Sequence, residues 1–306
     1  MSLAGTIRGI RRRRHRTIGV TALIILTTAW TPADGQLRPS QRRVASAGDT
    51  QNNVQLLRPS GGPVVPMFEG WYRNPDGTFV LSFGYFNVNT EETLEIPLGP
   101  DNFIEPAVFD GVQPTHFQPT PDDVYRRVGV FTVTVPADFG DSDVIWTLRI
   151  RGQTLSVPGR ITRAPYELAG WKLADGTDAA PLLRLDARGP EGRGPAGLSR
   201  GPVTAAVGEP LALTVWTIRD EEFRNDERPI TLDWIKHQGP GSVAFSEPRL
   251  EATREMWAAG DWAERTTEAT FSEPGEYVLR VAAYSGDGQG SSQCCWTNGY
   301  VRVQVR

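Results

Sequence analysis

From residue 64 onward, apolar and polar residues alternate with a period of two. Phe79, Leu81, Phe83 and Tyr85 fall on one side of an extended chain and Val80, Ser82 and Gly84 on the other, the pattern of a strand that lays one face on a core. Asn74-Pro75-Asp76-Gly77 precedes it: proline presets φ, aspartate caps the turn and glycine accepts positive φ. A hairpin is therefore predicted between residues 68–73 and 78–87. Further strands are predicted at 93–98, 128–135, 144–151 and 153–161. A second set follows at 203–207, 211–219, 230–237, 242–245, 266–271, 277–284 and 300–305, each bounded by Pro, Gly or Asp clusters. No run of helical period competes with them. The fold class that follows is all-β: two immunoglobulin- or fibronectin-like β-sandwich domains, spanning 64–163 and 202–306.

Other stretches break this rhythm. Residues 99–127 are rich in Pro, Asp, Asn and Gln but carry Phe103, Ile104, Val108, Phe109 and Phe117, an apolar content that predicts folding against the first sandwich. Residues 164–201 contain Gly189-Pro190-Glu191-Gly192-Arg193-Gly194-Pro195, which neither helix nor ladder accommodates, and read as a linker. Residues 36–63 are polar and read as a disordered tether. Ahead of them, Arg11, Arg12, Arg13, Arg14 and Arg16 precede an uncharged stretch over 17–33 centred on Val20, Ala22, Leu23, Ile24, Ile25 and Leu26, the n-region and h-region of a signal peptide. That stretch is shorter than the roughly 20 apolar residues of a spanning helix. Ala33 and Gly35 suit cleavage after Gly35, which makes residues 1–35 the signal peptide; an uncleaved N-terminal anchor is the alternative.

The last third of the chain carries three runs that belong together: Ile230-Thr231-Leu232-Asp233-Trp234, then Gly239-Pro240-Gly241-Ser242-Val243-Ala244-Phe245-Ser246, then Ala269-Thr270-Phe271-Ser272-Glu273-Pro274-Gly275-Glu276-Tyr277-Val278-Leu279-Arg280-Val281. They resemble the PKD-like repeat of surface proteins, in the variant found near REJ modules. The resemblance implies an immunoglobulin-like sandwich in which Trp234 fills the core and Tyr277 makes a tyrosine-corner hydrogen bond. Residues 250–264 then read as an insertion. The first domain resembles uncharacterised exported bacterial proteins.

Charge narrows the partners. Of the chain's 32 basic and 36 acidic residues, the first 35 positions hold six arginines and one aspartate, so cleavage leaves 26 bases against 35 acids, a net charge near −9. Such a balance argues against nucleic-acid or anionic-membrane binding. The expected location is periplasmic, cell-surface or extracellular, without a membrane span once the signal is removed.

Candidate chemistry is sparse. Only His116 and His237 lie beyond the signal, and no nucleophile-elbow, zinc-protease or phosphate-loop motif is present. No cofactor or metal is therefore expected. His116 shares its loop with Asp101, Glu105 and Asp110, a set that could bind a cation or supply acid and base, against the plainer reading of a solvated loop. The run 219–228 alternates charge and reads as a solvated loop. Trp257 and Trp262 lie between strands and are candidates for an exposed sugar or protein contact, with packing over the sheet as the competing reading. Cys294 and Cys295 are the only cysteines. They either close a vicinal disulfide, which with Trp296 would shape a contact surface at a hairpin tip, or remain two thiols facing opposite sides of a strand. Together these features predict an exported, non-catalytic binding or surface-architecture protein with a protein or glycan partner at the cell envelope. The alternative is a polysaccharide-active enzyme or its carbohydrate-binding accessory subunit.

Overall fold

The computed structural model describes residues 57–120, 126–173, 176, 178–285 and 294–306. The expected signal peptide and all of the tether up to residue 56 lie outside the described residues. No described helix is long and apolar enough to cross a membrane.

The first half is built from the predicted hairpin. Strands β1 (Val64–Arg73) and β2 (Phe79–Asn87) pair antiparallel, and β2 pairs on its other edge with a later strand. The turn works as its residues require: the Asp76 carboxylate accepts the Thr78 N–H at 3.0 Å and its hydroxyl at 2.7 Å, and Gly77 takes φ +90°. Two short strands, β3 (Leu94–Glu95) and β5 (His116–Phe117), pair with each other, with β4 (Asn102–Glu105) between them in sequence. Next come β6 (Arg127–Val135), β7 (Val144–Ile150) and β8 (Gln153–Gly159). The sheet β1-β2-β6 faces the sheet β4-β7-β8. Between them Phe83 stacks on Phe131 at 5.2 Å, and Trp146 meets Phe131 edge-on at 4.9 Å. The Trp146 indole N–H donates to Asn102 Oδ1 at 3.0 Å, so the largest core ring carries no unpaired donor. Strand β2 departs from the half-buried reading: Val80 and Ser82 are as fully buried as Leu81 and Phe83, because β2 is the central strand and is covered on both faces.

The 99–127 segment is folded over its described part. The Asn102 amide donates to the carbonyls of Ile96 and Pro114 at 2.9 and 2.7 Å, while Asp110 Oδ1 accepts the Ile104 N–H at 2.8 Å. Ile104 and Phe117 enter the core. The described end of the tether is also held: the Gly62 N–H donates to Asn89 Oδ1 at 2.6 Å and the Asn89 amide returns a bond to the Gly62 carbonyl at 3.0 Å.

The second half begins inside the stretch read as a linker. Strand β9 (Leu182–Arg184) pairs with β11 (Leu211–Ile218), and Leu183 and Leu185 are core residues. Leu182, Leu183 and Leu185 are the signal for it, masked by the Gly/Pro run that follows. Strand β10 (Leu198–Ala205) runs parallel to the last strand. After β12 (Ile230–Gln238) and β13 (Val243–Phe245), the 250–264 segment supplies β14 (Arg249–Ala252), which pairs with β12, and the one-turn helix α1 (Arg254–Trp257). Strands β15 (Ala263–Phe271), β16 (Gly275–Ser285) and β17 (Trp296–Val305) complete the fold. A five-stranded sheet, β10-β17-β16-β12-β14, packs on a four-stranded sheet, β13-β15-β11-β9. Trp234 lies in the core between them. The Tyr277 hydroxyl donates to the Glu273 carbonyl at 2.8 Å and accepts the Gly241 N–H at 3.0 Å, which is a tyrosine corner. Gly239 makes room for it: with φ +140°, its Cβ position would lie 2.1 Å from the Tyr277 ring.

Candidate functional site

Strand alternation sends Leu232, Trp234, Leu279, Val281, Val301 and Val303 of the five-stranded sheet into the sandwich core. Several of the intervening positions, among them Arg280, Ala282 and Asn298, are buried as well. They meet the first sandwich, through one small apolar cluster of Val128 with Ala282, Tyr284 and Trp296 and otherwise through polar contacts.

On β12 the register shifts between Lys236 and Gln238, and a bulge of this kind re-aims side chains. Three consecutive residues consequently reach the other half. Lys236, 2% exposed, donates to Glu95 Oε1 at 2.8 Å and to the Gly241 carbonyl at 2.6 Å. His237 donates from Nε2 to the Val112 carbonyl at 2.9 Å. The Gln238 amide bonds the carbonyls of Gly111 and Gln113 at 2.9 and 2.7 Å. A backbone bond joins them, from the Thr115 N–H to the His237 carbonyl at 2.8 Å. From the next two strands, Arg280 donates to the Gly129 carbonyl at 3.2 Å and to Asn298 Oδ1 at 3.0 Å, and the Asn298 amide also holds Gly129 at 2.9 Å. The Tyr300 hydroxyl donates to the Val130 carbonyl at 2.9 Å.

Burial sets the protonation states. It drives the His237 pKa down to about 4 and lifts that of Tyr300 to about 12 against the pull of Arg280, so both are neutral near pH 7. Burial also pushes Glu95 upward, but hydrogen bonds from His116 and Lys236 outweigh it and hold the carboxyl below its ordinary range.

The residues singled out from the sequence are distributed along this seam and away from it. His116 is bonded through Nδ1 to Glu95 at 2.6 Å. The expected acidic companions are not gathered around it: Asp110 is committed to Ile104 and Gln113, and among the described residues no group of three or more His, Cys, Asp or Glu is placed to hold a metal. Cys294 and Cys295 are joined in a vicinal disulfide, and Cys295 has φ 130°, a region costly for a side-chain-bearing residue. Both are buried, as is Trp296, which clusters with Val128, Ala282 and Tyr284. Trp296 therefore faces the seam, and neither it nor the two cysteines forms an exposed surface; residues 286–293 of the hairpin tip lie outside the described residues. The Trp296 ring presses on Gly129, whose φ is +54° and whose Cβ position would lie 2.2 Å from the ring. Only glycine fits there.

Trp257 is fully buried in the second core, so the exposed-contact reading is corrected for it: α1 turns its ring inward. Trp262 is partly buried, with the Arg184 guanidinium 3.9 Å from its ring centroid. The run 219–228 is also corrected in one respect. Arg219 is 2% exposed and bonds Ser285 Oγ at 2.7 Å, with Asp226 at 3.3 Å.

Sequence reasoning missed Lys236, Arg280, Asn298 and Tyr300. A signal did exist for Arg280, a lone cation inside Tyr277-Val278-Leu279-Arg280-Val281-Ala282-Ala283, since a run apolar on both faces belongs to a strand covered on both sides.

No protein-family model matches the chain, and no curated protein matches it. Among solved structures it is similar to domains 4 and 5 of the S-layer protein SbsC (12% identity over 54% of this chain and 65% of that one, TM-score 0.24). It is also similar to the Yersinia pseudotuberculosis adhesin InvE (11%, 79% and 58%, TM-score 0.24) and to the D00-D0 domain of Intimin (10%, 79% and 99%, TM-score 0.25). The match spans less than two thirds of the S-layer fragment and of InvE. At such scores the likeness is loose, and the assignment of an all-β sandwich fold rests on the strand pairing itself.

Proposed function

We propose that this chain is an exported, non-catalytic module for binding or surface architecture at the cell envelope, in which two sandwiches act as one rigid unit. The seam carries this reading. Domains joined by small polar contacts are expected to move relative to one another. Here six side chains of one sheet, Lys236, His237, Gln238, Arg280, Asn298 and Tyr300, each bond the other half, and separating them would expose or orphan groups that are paired while docked. A unit of that kind suits holding a fixed spacing more than closing around a substrate. The two described histidines are engaged by a carboxylate and a backbone carbonyl. Export is supported by the arginine-rich n-region and apolar h-region, and by a disulfide that oxidising compartments preserve. The PKD-like kinship of the second sandwich is supported by the Tyr277 corner and by Trp234 in the core.

Incubating the mature protein with a glycan panel and the host's envelope fraction tests the reading. Retention on a glycan or envelope component without chemical change is the expected result; release of a product from any glycan would establish the enzymatic alternative instead.

A further inference from the structure

The seam is built around an uncharged His237. Its ring is 3% exposed and stands edge-on to Tyr300 at 5.4 Å. Nε2 donates across the seam to the Val112 carbonyl at 2.9 Å, and Nδ1 has no partner among the described residues. A second proton would therefore create a buried N–H that no described group accepts, which is costly.

It would also add a positive charge where positive charge is already in excess. The charged and titratable groups around the ring are Lys236 beside it on β12, Arg280 on β16, Tyr300 and Arg302 on β17, and His116 and Glu95 across the seam. Glu95 is the one carboxylate of this set, and it is already bonded to Lys236 and His116. Arg280, 3% exposed, donates to neutral partners, Asn298 and Gly129. The surroundings that refuse the proton thus come from both halves. Parting the halves hydrates the ring, so a proton can be taken up without unfolding either sandwich.

We propose that the seam is an acid-released latch, in which a proton on His237 separates the two sandwiches while each stays folded. The proposal rests on the reading of the two sandwiches as one rigid unit, and adds to it the condition under which that unit comes apart.

The Thr115 N–H, which crosses the seam to the His237 carbonyl at 2.8 Å, reports the latch through hydrogen exchange of the mature chain. The docked ring titrates at about 4 and a hydrated imidazole near its ordinary 6.5. Docking is thus unaffected above that ordinary value and weakens as pH falls towards 4, so the Thr115 protection factor should drop roughly 20-fold from pH 7 to pH 5. At pH 5 it should lie below those of Leu279 and Val281 in the second core. In His237→Gln, whose amide can still donate to Val112, the drop should be absent. Thr115 protection undiminished at pH 5 overturns the latch and leaves the rigid unit standing. A drop shared equally with the core amides overturns it too, because acid would then act by unfolding the whole chain. So does a drop that persists in His237→Gln, which would move the effect to another group such as His116. A Thr115 amide already unprotected at pH 7 would remove the rigid unit and the latch together.

Discussion

The two faces of the five-stranded sheet both carry buried residues and are built oppositely. Towards its own sandwich the sheet presents Leu232, Trp234, Leu279, Val281, Val301 and Val303; towards the other half it presents His237, Arg280, Asn298 and Tyr300. Apolar contacts are strong but non-directional, so the first face supplies stability. Hydrogen bonds to fixed carbonyls tolerate little displacement, so the second face supplies geometry. Burial alone does not reveal which task a surface performs.

Breaking each face should therefore produce different symptoms. Trp234→Ala removes a large core ring and should cost about 3–5 kcal/mol, read as a fall in the urea midpoint; a loss under about 1 kcal/mol would mean that the core side is not the stabilising one. On the polar face, His237 is neutral in both states above pH 6.5. Below that the unfolded chain takes up a proton that the folded state refuses until about pH 4, so stability falls as pH drops through this window, by up to roughly 3 kcal/mol. Denaturant titrations at several pH values should show that slope in the parent and a flatter one in His237→Gln. Asn298→Ala orphans Arg280 Nε and removes one of the two hydrogen bonds to the Gly129 carbonyl, and should cost about 1–3 kcal/mol. The sharper expectation is that amide exchange at 129–130 rises more than exchange in the second core. Trp262→Ala loses only a partly exposed ring with its Arg184 contact, and about 0.5–1 kcal/mol in thermal melts.

The same asymmetry explains what could be read in advance. The hairpin at Asn74-Pro75-Asp76-Gly77, most strands and the Tyr277 corner follow from local residue chemistry, and the sequence shows them. Strands β9 and β14 are short and owe their existence to partners far along the chain. Asn298 and Tyr300 alternate with core residues as solvent-facing positions do, and nothing local distinguishes water from a second domain as the polar neighbour; Lys236 keeps the phase of Leu232 and Trp234, next to a register shift that the local sequence does not announce. The adjacent cysteines were legible as a candidate pair because so few partners were possible. That Trp296 turns inward depends on Gly129, more than 160 residues earlier.

Gly129 gives access to the central claim, that the polar seam holds both sandwiches as one body. Residual dipolar couplings measured on each sandwich should fit a single alignment tensor in the parent protein. In Gly129→Val, where a side chain must displace the Trp296 ring, they should require two tensors, with both sandwiches still folded. Two independent tensors in the parent, or a single one preserved in the variant, would contradict the account.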